Sequence, residues 1–160
     1  MDSVLATPPS LTDQRAVTEQ VLITLANITT SPGEMMRTDF YFTEDPLISS
    51  LHYAAPSNQF LLLECSPQLA FHLTACLFDR PKPTLETDED VVDALAELVN
   101  TIGGNLKALM SPQTCISLPS VLQRRDAQAL TESARQLSKM CLPTIHGMLC
   151  LTFFEQTQDM

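Results

Sequence analysis

Strand-like runs that follow one another without an intervening helix constrain this chain most. Thr38 to Phe42, Leu47 to Tyr53 and Gln59 to Glu64 succeed each other across only Glu44-Asp45-Pro46 and Ala55-Pro56-Ser57-Asn58, the residue types of turns. Gln136 to Leu142 and Gly147 to Phe154 form a second such group, with a shorter run at Cys115 to Leu118. Strands in groups predict a mostly antiparallel sheet with helices laid on it, the α+β class, here as a two-layer sandwich. With 160 residues and 44% hydrophobic content there is material for one core, so a single domain is expected over 11–156, with a flexible lead at 1–10 and a flexible tail at 157–160.

Helical periodicity accounts for the rest and predicts three helices. The first starts with Thr12 or Asp13 as cap, turns Val17, Val21, Leu22, Leu25 and Ile28 to one side, and ends at Ser31-Pro32-Gly33. Ser66-Pro67 opens the second, which carries Leu69, Phe71, Leu73, Cys76 and Leu77 to about Phe78, before the linker Arg80-Pro81-Lys82-Pro83. The longest runs from about Asp88 to Met110, capped by Thr87 or Asp88 and stopped by Ser111-Pro112. Neither a GxGxxG nor a Walker A loop occurs, so nothing marks the chain as a nucleotide holder.

Charge narrows the partners. Nineteen acidic against nine basic residues give a net charge of -10, which repels nucleic acid and anionic membrane surfaces and suits a partner with exposed Lys or Arg. No apolar run approaches the ~20 residues that cross a bilayer, and Met1 to Ser10 lacks a signal-peptide pattern, so the cytoplasm is the expected location. The five cysteines are odd in number, scattered and set mostly in apolar runs, which reads as reduced core thiols and offers no metal spacing. Met35-Met36 and Met140 read as packing residues.

The third helix has two readable faces. Val91, Leu95, Leu98, Ile102, Leu106 and Leu109 recur every three or four residues as a buried stripe. Asp90, Asp93, Glu97, Asn100, Gly104 and Lys107 form a polar stripe opposite, with Glu97 and Asn100 neighbours one turn apart. A solvated helix face would produce such a pair without any function. Gly103-Gly104 separates the two readings, because each glycine inside a helix costs roughly 1 kcal/mol relative to Ala. Close approach of another backbone, from a neighbouring element or a docked partner, repays that cost.

The segment Ala96-Glu97-Leu98-Val99-Asn100-Thr101-Ile102-Gly103-Gly104-Asn105-Leu106-Lys107 resembles the signature helix of the CheX chemotaxis phosphatases, in the wider CheC, CheX and FliY group, whose hallmark is E-x-x-N followed by a small-residue stretch. The likeness extends through Ile116-Ser117-Leu118-Pro119-Ser120-Val121-Leu122 to Arg125-Asp126, similar to the family's proline-containing strand and downstream loop. It implies a phosphatase acting on a phosphorylated CheY-like response regulator. Asn100 would orient the attacking water and Glu97 would pair with the regulator's lysine. Asp93, Gly103, Gly104 and Lys107 would be partner contacts, the chain would need no cofactor of its own, and Mg²⁺ would sit on the regulator. The single E-x-x-N fits CheX rather than CheC, and a CheX-like homodimer would join through strands near Gln59 to Glu64 or Gln136 to Phe154.

Rival chemistry has thinner support. His52, His72 and His146 fall in a strand, a helix and a turn without a nucleophile motif, so structural or surface roles are expected. Asp88, Glu89, Asp90 and Asp93 could suggest a cation site but lack EF-hand spacing and stand where helix starts are normally acidic. A metal-dependent phosphoesterase lacks a ligand set. A non-catalytic adaptor with the same fold is the alternative from another class, and the intact Glu97 and Asn100 weigh against it.

Overall fold

The computed structural model describes residues 7–31, 40–54, 58–79 and 88–157. In chain order these form α1 (Leu11–Ala26), β1 (Leu47–Ala54), β2 (Gln59–Cys65), α2 (Pro67–Leu77), α3 (Asp88–Lys107), β3 (Cys115–Ile116), β4 (Ser120–Leu122), α4 (Arg124–Glu132), β5 (Ala134–Thr144) and β6 (Gly147–Gln156). The six strands make one antiparallel sheet in the order β3-β1-β2-β6-β5, with β4 also pairing β1. The α+β reading and the antiparallel sheet hold, with a fourth helix that the sequence did not announce.

Strand alternation divides the apolar residues between two sides of the sheet. Leu51 and Tyr53 of β1, Leu61 and Leu63 of β2, Met140 and Leu142 of β5, and Leu149, Leu151 and Phe153 of β6 pack with α1, α2 and α3 in the main core. The intervening residues Ile48, Phe60, Leu62 and Phe154 face the other way and pack with Ala127 of α4. That helix has only Ala127 buried, so it shows no apolar stripe, which is why Arg125-Asp126 reads as loop in the sequence.

Other boundaries differ for local reasons. Ser10, not Thr12 or Asp13, caps α1, its Oγ accepting from the Asp13 amide at 3.1 Å. The helix ends at Ala26 because Asn27 turns left-handed (φ 50°) and donates to Ile23 O, while Ile28 N reaches Leu22 O. Ile28 stays buried just beyond the helix. Ser66 does stand at the start of α2, but its hydroxyl bonds Met148 on β6 rather than capping. α3 stops at Lys107, followed by two 3₁₀-type bonds from Leu109 and Met110, and Leu109 is exposed, not buried.

Phe40 to Phe42 form no strand, since β3 and β4 occupy the free edge of β1. Thr38, Pro32-Gly33, Met35-Met36, Thr87 and the Arg80 to Pro83 linker lie outside the described residues. The cysteine reading also needs correction. Cys141 and Cys150 are direct cross-strand partners and their sulfurs are bonded, while Cys76 and Cys115 are exposed. Cys65 alone is a free thiol in the core, pushed up to about 12 by burial. β2 and β6 are interior strands, paired on both sides, so neither supplies a free dimer edge; β5 is the long strand at an edge, with its end at Pro143 and Thr144 already paired to Thr30 and Ser31.

Candidate active site on helix α3

Eight residues of α3 face the core: Val91, Ala94, Leu95, Leu98, Val99, Ile102, Gly103 and Leu106. Burying each large aliphatic among them is worth about 1.5–3 kcal/mol, so the rotation of the helix about its axis is firmly set. The consequence is that Asp93, Glu97 and Asn100 are exposed, with Gly104, Thr101 and Lys107 half-exposed beside them. Asp88, Glu89 and Asp90 lie in the first turn and Lys107 in the last, each on the end that the helix dipole favours.

The two glycines have opposite surroundings. A Cβ on Gly103 would overlap Leu51 Cδ2 and come within 3.0 Å of Tyr53 Oη, whereas one on Gly104 would meet nothing within 4 Å. Gly103 is therefore where β1 approaches the helix, and it belongs to the core rather than to an outward contact surface. Tyr53 completes this anchor by donating its hydroxyl to Gly103 O at 2.8 Å. Burial pushes that phenol well above its ordinary range. The Tyr53 contact carries no sequence signal beyond a strand aromatic in phase with Leu51.

On the exposed side, Thr101 Oγ1 donates to Glu97 Oε1 at 3.2 Å, and Asn105 Nδ2 donates to Thr101 O at 2.7 Å. Glu97 is thus steered by a residue that the sequence reading did not single out. The Asn100 carboxamide has no hydrogen-bond partner among the described residues, which leaves its donor and its acceptor available.

The remaining sequence candidates lie elsewhere. His72 of α2 stacks on His146 with ring centroids 3.6 Å apart, and His52 of β1 stacks obliquely on Phe60 at 5.3 Å. Burial holds the His52 imidazole below its ordinary pKa. Among the described residues no group of three His, Cys, Asp or Glu side chains converges as a metal site, and no helix is long and apolar enough to cross a membrane.

Known proteins place this arrangement in a family. The family described as Chemotaxis phosphatase CheX matches residues 48–143, which include α3 and all but the start and end of the fold. Among curated protein sequences none matches significantly. Among solved structures, CheX in a CheX-CheY-BeF3-Mg²⁺ complex from Borrelia burgdorferi superposes with a TM-score of 0.69 at 12% identity, covering 94% of this chain and 99% of that one. Chemotaxis protein CheX from Vibrio vulnificus gives 0.67 at 16%, covering 91% and 95%. A chemotaxis protein CheX from Desulfovibrio desulfuricans gives 0.66 at 16%, covering 89% and 95%. At these identities the structures speak for the fold, and the sequence match speaks for descent: the chain belongs to the CheX family of chemotaxis phosphatases.

Proposed function

We propose that this protein hydrolyses the aspartyl phosphate of a CheY-like response regulator, with Asn100 and Glu97 as the working side chains. The observation that carries the reading is the exposed pair one turn apart on α3, with the Asn100 amide unengaged among the described residues. On docking, Asn100 enters the regulator's site and holds a water in line with phosphorus, its carbonyl accepting from the water and its NH₂ donating to a phosphoryl oxygen. The water oxygen bonds to phosphorus as the acyl phosphate P–O bond breaks, giving free aspartate and inorganic phosphate. Glu97 pairs with the regulator's active-site lysine and fixes register. The regulator supplies the aspartate, the lysine and Mg²⁺; this chain supplies position, where an error of an ångström can cost on the order of 10²-fold.

The CheX-CheY complex of the Borrelia relative supports the choice of partner. Asp93 and Lys107 flank the pair on the same face and serve as peripheral contacts. Self-association, if CheX-like, uses β5, the one long strand at a sheet edge.

Asn100→Ala tests the reading. Catalytic amounts of wild type accelerate loss of phosphate from the cognate regulator, and the variant loses that acceleration while its affinity for the beryllofluoride-loaded regulator stays within about threefold. Glu97→Ala weakens the complex instead. Equal acceleration by wild type and Asn100→Ala would take the role from Asn100, and a regulator whose dephosphorylation neither protein accelerates would replace the phosphatase by an adaptor of the same fold.

A further inference from the structure

Beside the Glu97–Thr101 hydrogen bond, α1 and α3 part to leave a groove of about 430 Å³. Val17, Val21 and Leu25 give it an apolar wall from α1, and Thr101 and Asn105 close it on the α3 side. Its polar members are engaged with one another: Gln20 Nε2 donates to Thr24 Oγ1 at 3.1 Å, and Thr101 and Asn105 are bonded along α3. A polar ligand would have to displace those bonds, whereas an apolar side chain needs only to displace water.

We propose that this groove is the specificity pocket of the docking face, receiving a large apolar side chain that the regulator presents close to its phosphorylated aspartate. The proposal rests on the phosphatase reading above. Two observations select this occupant. The groove is continuous with the candidate site through Thr101, which lines the groove and also donates to Glu97, so a body seated on Glu97 and Asn100 covers the groove as well. The exposed carboxylate of Glu97 adjoins the groove through Thr101, in a chain of net charge -10. A partner with basic residues around an apolar anchor complements that surface, whereas a second copy of this chain would bring acidic faces together.

The division of labour is then physical. Glu97 and Asn100 meet groups common to regulators of this type, namely the lysine and the phosphoryl group, and cannot distinguish one from another. The groove reads what varies, the shape of a neighbouring side chain.

Ala16→Trp and Thr24→Tyr, both at exposed positions on the α1 side, fill the groove without touching Glu97 or Asn100. The probes are purified CheY-like receiver domains from the source organism, each loaded with beryllofluoride and Mg²⁺, together with dephosphorylation kinetics on the receiver that binds. Either plug, with the wild-type unfolding midpoint retained, raises Kd and KM on the order of 10- to 100-fold, the worth of burying one large apolar side chain. Where Asn100→Ala abolishes turnover but both plugs keep Kd within twofold of wild type, the pocket falls and the phosphatase stands. Where no receiver binds, or wild type leaves the dephosphorylation rate of the one that binds unchanged, the phosphatase falls and takes the pocket with it; where Asn100→Ala turns over like wild type, the docking face built on Glu97 and Asn100 falls, and the pocket with it. A plug that instead dissolves a dimer, seen by sedimentation, assigns the groove to a second copy and overturns the proposal.

Discussion

Replacing each glycine of the pair by alanine separates the two ways a glycine can be required in a helix. Both substitutions gain the same intrinsic term, about 0.8–1 kcal/mol, because both positions are interior to α3. At Gly104 nothing lies within 4 Å of the new methyl group, so the gain is kept and the protein is stabilised by about 1 kcal/mol. At Gly103 the methyl group overlaps Leu51 Cδ2 and crowds Tyr53 Oη, and both of these side chains are themselves fully packed. Overpacking of that kind costs about 1–3 kcal/mol, so the net effect runs from neutral to about 2 kcal/mol destabilising. The difference between the variants cancels the helix term and reports the packing alone, about 1–3 kcal/mol. Urea unfolding at unchanged m value reads it as a separation of midpoints. Coincident midpoints would refute the assignment of Gly103 to the β1 contact. A second readout concerns function. If the bare backbone at Gly104 is kept for a docked regulator, Gly104→Ala is the more stable protein and the poorer phosphatase. Full activity in that variant would leave Gly104 without a reason.

Thr101→Val keeps the branched shape and removes only the donor to Glu97; stability stays within about 0.5 kcal/mol, and affinity for the loaded regulator drops a few-fold by titration, whereas unchanged affinity would make Thr101 a bystander. Glu64 sits on the sheet face away from α3, where burial raises its pKa and Lys139 partly opposes the shift. The folded state therefore holds its proton where the unfolded chain has lost it, so stability from this group is full below the ordinary glutamate pKa and is lost as pH rises through the raised one. Glu64→Gln is accordingly more stable than wild type at pH 7, with the gain shrinking toward pH 4, and a gain independent of pH would contradict the burial account. Denatured without reductant, the chain exposes three reactive thiols out of five, Cys65, Cys76 and Cys115; a count of five would contradict the Cys141–Cys150 bond.

Periodicity carried most of the fold. The strand groups, the start of α3 and the burial of Val91, Leu95, Leu98, Ile102 and Leu106 were legible because a period of 2 or 3.6 is imposed directly by which side of an element meets the core. What failed were features whose cause lies elsewhere in the chain. α4 has one buried residue, so its existence depends on the sheet face it covers and not on its own pattern. Phe40 to Phe42 have strand composition, but a strand also needs a free edge, and β3 and β4 take the one beside β1. The Cys141–Cys150 pairing depends on hairpin register, which a one-residue slip would have destroyed.

The candidate site divides along the same line. Glu97 and Asn100 were legible as an outward pair because the buried stripe of α3 alone fixes where they point. The glycines were legible only as a demand for close approach, and the sequence could not say whether strand or partner made it. One residue of rotation, about 100°, decides the matter: Gly103 falls among Val99, Ile102 and Leu106 against β1, and Gly104 falls on the outward face, one turn beyond Asn100. The contacts that tune the pair come from side chains whose sequence neighbours are unremarkable, the Tyr53 hydroxyl under Gly103 and the Thr101 hydroxyl on Glu97. Tyr53 and Leu51 therefore fix the height of α3 on the sheet, and with it the reach of Asn100. Tyr53→Phe frees a helix carbonyl of its second donor at a cost of about 1 kcal/mol, and any loss of turnover beyond that variant's loss of stability measures how far a core hydroxyl sets the placement of an exposed amide.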